Sequence, residues 1–305
     1  MSSPVPVAIP RRKVAVRLDG VERSAAEGST ILEVCRGAGV EVPTICWAPT
    51  ITPVNACRVC VVELEGSRTL VPACSRRVAE GMEIRTGGER VQASRRMVLE
   101  LLASSVDLSR AEADILRWLE EYGVDPERHG PQRARLSEPV RRHDELYVRD
   151  YDRCVLCYKC VDACGTEAQH TFAIAVAGRG FDARISTEYD VALPDSACVY
   201  CGNCIGVCPT GALIFTREFD LRASGRFDPE AQSVTTTVCP YCGVGCNLEL
   251  HTQDEVIFRV TSPEDHEVTE GHLCIKGRFG FEYAGGPRQQ RPKETDLAAD
   301  ARPPA

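Results

Sequence analysis

Two stretches of the chain repeat one cysteine spacing, Cys154-x2-Cys157-x2-Cys160-x3-Cys164 and Cys198-x2-Cys201-x2-Cys204-x3-Cys208, the second followed by Pro209. Four thiols set so tightly leave no room for an apolar core between them, so each stretch must close around a bound group or be cross-linked. The 305 residues hold seventeen cysteines in all, and the choice lies among disulfides, structural zinc and iron–sulfur clusters. Two four-thiolate zinc sites would use Cys-x2-Cys pairs, but would need neither the third cysteine nor the x3 step. Disulfides need an oxidising compartment. Met1 to Arg17 contains no apolar stretch of secretory length, and Lys13, Arg17 and Asp19 interrupt the residues after Arg11-Arg12, so we expect a cytoplasmic chain with reduced thiols. The longest apolar run, Phe172 to Ala177, is far too short to cross a bilayer.

The repeated spacing is that of the bacterial iron–sulfur run in which three thiolates hold one cluster and the fourth reaches across to a second. Cys154, Cys157, Cys160 and Cys208 are therefore expected to hold one [4Fe–4S] cluster, and Cys198, Cys201, Cys204 and Cys164 another. Gly165 stands where this run prefers proline after its fourth cysteine. Eight of the other nine cysteines form two outer groups, Cys46-x10-Cys57-x2-Cys60-x13-Cys74 and Cys239-x2-Cys242-x3-Cys246-x27-Cys274. The first has the logic of a [2Fe–2S] site, a loop carrying three thiolates and a distant fourth. Cys35 falls outside every group and reads as a small buried hydrophobe.

Around these groups the pattern suggests an α+β chain. Val14, Val16 and Leu18 alternate with polar residues, Asp19-Gly20 marks a hairpin, and Thr30-Ile31-Leu32-Glu33 is a capping box opening a short helix. A second hairpin is expected to turn at Glu65-Gly66. Residues 12–88 thus read as a β-grasp [2Fe–2S] domain. Residues 89–144 read as a helical connector: Val91, Val98, Leu101 and Leu102 recur at helical spacing, Ser109 to Glu112 resembles another capping box, and Gly123 closes a second helix. From Asp125 to Asp144 irregular structure is expected. Residues 145–220 hold the paired [4Fe–4S] runs, 232–286 the last cysteine group, and 287–305 a disordered polar tail.

The net charge of −8 excludes nucleic acid as a main partner, and Arg128, Arg133, Arg135, Arg141 and Arg142 read as a solvated linker. The six histidines, His129, His143, His170, His251, His266 and His272, show no paired metal or triad spacing, and no Gly-rich dinucleotide fingerprint follows a strand.

Three motif sets carry a family resemblance. Val42-Pro43-Thr44-Ile45-Cys46, Ala56-Cys57-Arg58-Val59-Cys60 and Leu70-Val71-Pro72-Ala73-Cys74 resemble the [2Fe–2S] domain of the large iron–sulfur subunit of respiratory complex I and its relatives in NAD-linked hydrogenases and formate dehydrogenases. Val238 to Cys246, with Cys274-Ile275-Lys276-Gly277 after it, resembles the N-terminal [4Fe–4S] segment of molybdopterin oxidoreductases, most closely formate dehydrogenase catalytic subunits. Val148 to Asp152 and Gly178 to Phe181 resemble formate dehydrogenase α subunits. The resemblance implies one [2Fe–2S] and three [4Fe–4S] clusters, with Lys276 between the last cluster and a pterin cofactor. Two departures stand out. The extra cluster that family members bind through one His and three Cys after the first domain has no counterpart here, where Leu99 to Ser105 runs into a helix without Cys or His. The pterin domains that come next in the family are also not expected within this chain.

The expectation is an electron-transfer subunit, not catalytic alone, relaying electrons between a separate molybdenum or tungsten pterin subunit and a flavin/NAD-reducing subunit. The diaphorase-side subunit of a hydrogenase or complex I-like assembly is the alternative, and a zinc-stabilised scaffold is the alternative of another class.

Overall fold

The computed structural model describes residues 11–131, 134–135 and 137–281. The expected polar tail at 287–305, the end of the last segment at 282–286, and Arg133 lie outside them.

The first module is a mixed five-stranded sheet on one helix. Strands β1 (Lys13–Leu18) and β2 (Val21–Ala26) form the expected hairpin, Leu18 opposite Val21. Its turn puts Asp19 and Gly20 at φ 49° and 82°, the left-handed pair a two-residue hairpin demands. Asp19 then accepts from the Thr86 hydroxyl and amide at 2.7 Å each, which fixes the turn to the far side of the sheet. The capping box forms as expected: Thr30 Oγ1 accepts from Glu33 N at 3.2 Å, Glu33 accepts from Thr30 N, and α1 (Ile31–Gly37) begins there. The sheet is completed by β3 (Val61–Leu64), β4 (Val71–Pro72) and β5 (Met82–Arg85), in the order β2-β1-β5-β3-β4 with β1 and β5 parallel. Ile31, Leu32 and Cys35 of α1 are fully buried against Val14, Val16, Val62 and Ile84. Cys35 is thus a core side chain, its thiol pushed up to about 11 by burial.

The connector contains α2 (Glu89–Ser105) and α3 (Ala113–Glu121). Two details differ from the sequence reading. Leu101 lies on the exposed side of α2, whereas Arg95 and Glu100 are buried. Arg95 is drawn in because it donates to Val61 O at 2.9 Å and to the Tyr122 hydroxyl at 3.0 Å, and Glu100 because Arg96 and Arg128 reach it at 2.9 and 2.7 Å. Ser109 does not cap α3, whose N-cap is Glu112. The Ser109 hydroxyl instead accepts from Arg153 at 3.0 Å, and Glu112 N donates to Pro209 O at 2.9 Å. Tertiary partners outcompete the local cap there.

The third segment pairs β6 (Tyr147–Arg149) with β9 (Leu213–Phe215), antiparallel, and β7 (Ala175–Ala177) with β8 (Arg184–Ser186). Short helix α4 (Lys159–Cys164) carries Cys160 and Cys164, α5 (Asn203–Gly206) carries Cys204 with Cys208 two residues beyond its end, and α6 (Thr216–Ala223) comes directly after β9. The final segment is a sheet β10 (Gln232–Val238), β11 (Asn247–Gln253), β12 (Val256–Thr261) closed by α7 (Ile275–Phe279).

The arginine-rich linker is not simply solvated. Arg128 pairs with Glu100, Arg141 with Glu138 and Asp190, and Arg142 with both oxygens of Asp220 at 2.9 and 2.8 Å. These pairs strap an irregular segment down, while Arg135 remains exposed.

Candidate metal centres

The two central runs adopt one conformation twice. Leu156 and Tyr158 sit at φ 50° and 64°, and their counterparts Tyr200 and Gly202 at 57° and 71°. Left-handed residues at alternate positions turn the backbone around the thiols and aim N–H groups inward, the nest geometry that favours an anion. Cys164, Cys198, Cys201 and Cys204 line one small cavity, and Cys154, Cys157, Cys160 and Cys208 line another, each of about 20 Å³. The chain thus carries the fourth cysteine of each run across to the other run's cavity. Both are walled by apolar side chains, Ile185 and Leu213 among them. Tyr147 places its hydroxyl 3.0 Å from Cys198 Sγ, and Leu213 N donates to Cys208 Sγ at 3.4 Å.

Burial sets the chemistry of these thiols. It pushes Cys154 and Cys157 up to about 12, and Cys160 and Cys204 well above the usual thiol range, with the neighbouring thiolates adding to the shift. Such sulfurs stay protonated until a bound metal displaces the proton. The glycine after Cys164 also has a local cause: a Cβ there would stand 3.0 Å from the Phe172 ring.

In the first module Cys46 and Cys57 are hydrogen-bonded to each other, as are Cys60 and Cys74. The loop bringing them together has Asn55 and Arg58 at φ 62° and 59°, and Cys57 N donates to Cys46 Sγ at 3.4 Å. The Cys46 thiol lowers Cys57 to about 6 by donating to it, and is itself raised; Cys74 stands in the same relation to Cys60. Two adjacent thiol pairs suit a two-iron group, in which each metal takes two terminal thiolates.

The last set is the most open. Cys239 is buried, Cys246 is half-buried, and Cys242 and Cys274 are exposed. Cys239 N donates to Cys246 O at 2.8 Å, and the field of Cys239, Cys242 and Cys274 raises Cys246 after burial does. Lys276 is exposed on α7, two residues past Cys274. A single zinc ion would draw four sulfurs to about 2.3 Å of one point. Among the described residues no three or more Cys, His, Asp or Glu side chains converge in that way. The central thiols line two separate cavities instead.

The modules also meet at their thiols. Cys46, Cys57 and Cys157 share one apolar cluster with Ile45, Val59, Leu99 and Trp118. Arg153 holds the connector to the central segment, pairing with Asp107 at 2.6 Å and Asp150 at 2.8 Å. Sequence reasoning passed over this network, and over the separately buried Arg95 and Glu100, because charged residues on a helix or turn give no sign in the sequence of being buried.

Three family descriptions match this chain: a 2Fe-2S iron–sulfur cluster binding domain at 11–89, the ferredoxin-like domain of NADH-quinone oxidoreductase subunit 3 at 145–214, and the molybdopterin oxidoreductase Fe4S4 domain at 232–285. The α subunit of the NADPH-Fe(3+) oxidoreductase of Geobacter sulfurreducens is 35% identical over 281 residues, covering 90% of this chain and 32% of that protein. A putative formate dehydrogenase of Staphylococcus haemolyticus is 25% identical over 310 residues, covering 87% of this chain and 30% of its own length. The chain therefore spans about a third of the curated relatives it matches. Among solved structures, a chain of an NAD+-reducing [NiFe]-hydrogenase in the H2-reduced state superposes with a TM-score of 0.54 at 25% identity, over 66% of this chain and 87% of that one.

Proposed function

We propose that this chain, which matches a 2Fe-2S domain, a ferredoxin-like domain and a molybdopterin oxidoreductase Fe4S4 domain in series, is the iron–sulfur relay of an NAD(P)-linked oxidoreductase complex. Its β-grasp domain would hold one [2Fe–2S] cluster on Cys46, Cys57, Cys60 and Cys74. The two crossed sets of central cysteines would hold one [4Fe–4S] cluster each, and Cys239, Cys242, Cys246 and Cys274 a third. The observation that carries the reading is the continuity of the thiol groups. Cys57 lies in the cluster that contains Cys157, Cys160 and Cys204 pack into another, and α7 packs the Cys274 end against Cys201. Clusters held in this order would pass electrons singly along the chain, while two-electron chemistry stays with partner cofactors.

The finer reading is a formate dehydrogenase-type complex, with a molybdenum or tungsten pterin catalytic subunit at the open end. Support comes from the motif around Cys239 to Cys246 and Cys274 to Gly277, and from the surface there. Cys242 and Cys274 are exposed beside Val238, Val244 and Ile275, three apolar side chains left in solvent. Lys276, standing on that surface, would couple the last cluster to the pterin. A flavin/NAD-reducing subunit would meet the [2Fe–2S] end. The hydrogenase-side alternative is favoured by the superposition on the NAD+-reducing hydrogenase chain. Stopped-flow reduction of the assembled complex tests the reading: formate should reduce the clusters, and Lys276→Ala should slow that step at unchanged iron content. Reduction by hydrogen and not by formate would move the protein to the hydrogenase-side reading, and a wild-type rate in Lys276→Ala would remove the lysine's role.

A further inference from the structure

Arg278 is fully buried, four residues past Cys274 on α7, yet pairs with no carboxylate among the described residues. Its hydrogen bonds go to neutral acceptors: Asn203 Oδ1 at 2.9 Å, Val260 O at 3.2 Å and Cys201 O at 3.4 Å. Burial pulls its pKa down to about 10, and the groups that oppose this are the sulfurs of Cys201 and Cys204 on one side and Cys274 on the other, which carry negative charge once they hold metal. A guanidinium in such a place costs several kcal/mol unless a counter-charge lies close by. The surroundings are nonetheless cut to its shape. A Cβ at Gly202 would stand 2.9 Å from Arg278 Cγ, and one at Gly206 would stand 3.1 Å from its terminal nitrogen. Asn203, itself 2% exposed, also accepts from Leu273 N at 2.9 Å, so one amide oxygen binds the segment leading into Cys274 and the guanidinium together. Phe279 completes the joint by stacking on Tyr147 and packing on Phe215, with centroids 6.1 and 5.6 Å apart.

We propose that Arg278 is the shared counter-cation of two neighbouring [4Fe–4S] clusters, the one on Cys164, Cys198, Cys201 and Cys204 and the one on Cys239, Cys242, Cys246 and Cys274, a positioning residue that raises the reduction potential of both. A four-thiolate cluster is a net anion, and reduction adds one more negative charge. A fixed cation in a dry site therefore favours the reduced form of each. Gly202 and Gly206 fit the side chain closely and Asn203 ties it to the segment leading into Cys274, which holds the charge between the two sites and links their potentials.

The inference rests on the cluster assignment above, and the experiment separates the two. Redox titration of the full chain, monitored by electron paramagnetic resonance, reads each cluster's midpoint, with the distant [2Fe–2S] cluster as internal reference. Arg278→Gln should shift the reduction equilibrium of both [4Fe–4S] clusters at least tenfold toward the oxidised form, about 59 mV for a one-electron couple. The [2Fe–2S] midpoint should stay put, and Arg278→Lys should recover most of the shift. Asn203→Asp keeps the arginine and neutralises it in place; it should lower both midpoints too, and decides the matter should Arg278→Gln load poorly. Full iron content with unmoved midpoints in both variants overturns the inference, as does movement of one cluster alone. Wild-type protein without iron would instead overturn the cluster assignment itself.

Discussion

Cys57 of the first module and Cys157 of the central segment pack into the same apolar cluster, with Leu99 of α2 buried beside them. Helix α2 itself carries neither Cys nor His. Two modules whose cysteines share one apolar cluster hold whatever those cysteines bind near each other. The [2Fe–2S] cluster and the first [4Fe–4S] cluster should therefore interact magnetically. Reducing both should speed the relaxation of the [2Fe–2S] resonance, measured by power saturation; relaxation typical of an isolated centre would mean the modules are not coupled. Leu99→Ala should cost about 2–5 kcal/mol in denaturant unfolding, the range for buried leucines, and weaken the magnetic coupling.

Two arginines that look alike in sequence should behave very differently. Arg153 has a side chain 10% exposed and holds Asp150, which is 8% exposed, together with Asp107. Arg153→Met leaves a buried carboxylate short of its partner and should cost about 3–5 kcal/mol. Arg142 and Asp220 are half exposed, and Arg142→Ala should cost less than about 1 kcal/mol. Equal effects in urea melts would contradict this division between a structural joint and a surface strap.

The last module should be acid-sensitive through His251 on β11. Its Nε2 lies 2.7 Å from the Thr261 hydroxyl, which itself donates to Glu249 at 2.7 Å, so the ring is the donor in that bond. Burial, helped by Arg259, pulls its pKa down to about 4 from 6.5. The unfolded chain takes up a proton below 6.5 that the folded module refuses until about 4, so stability falls as pH drops through that window. Amide exchange of 247–261 should report faster opening at pH 5 than at pH 7, and His251→Asn should flatten the difference. An unchanged profile in the variant would show that another group titrates.

Much of this was legible in the sequence because the signals are local. The Asp19-Gly20 turn and the Thr30-to-Glu33 capping box are complete within a few residues, and both form as expected. The tight spacing of the two central runs is local in the same way, and the left-handed turns between their cysteines recur in both. The features that stayed hidden depend on distant partners. Ser109 and Glu112 have the residue types of a capping box, yet Arg153 and Pro209 claim them. Nothing in the sequence marks Arg95, Glu100 and Arg278 as buried, and only the folded chain supplies the carbonyls, arginines and amide that draw each inside.

Iron and sulfide content of anaerobically prepared full chain, read together with Mössbauer spectra, tests the central claim most directly. With one [2Fe–2S] and three [4Fe–4S] clusters the account predicts about fourteen iron atoms per chain, of which two lie in the [2Fe–2S] environment. Zinc in place of iron, or iron confined to the central cysteines, would contradict a relay that runs from Cys46 to Cys274.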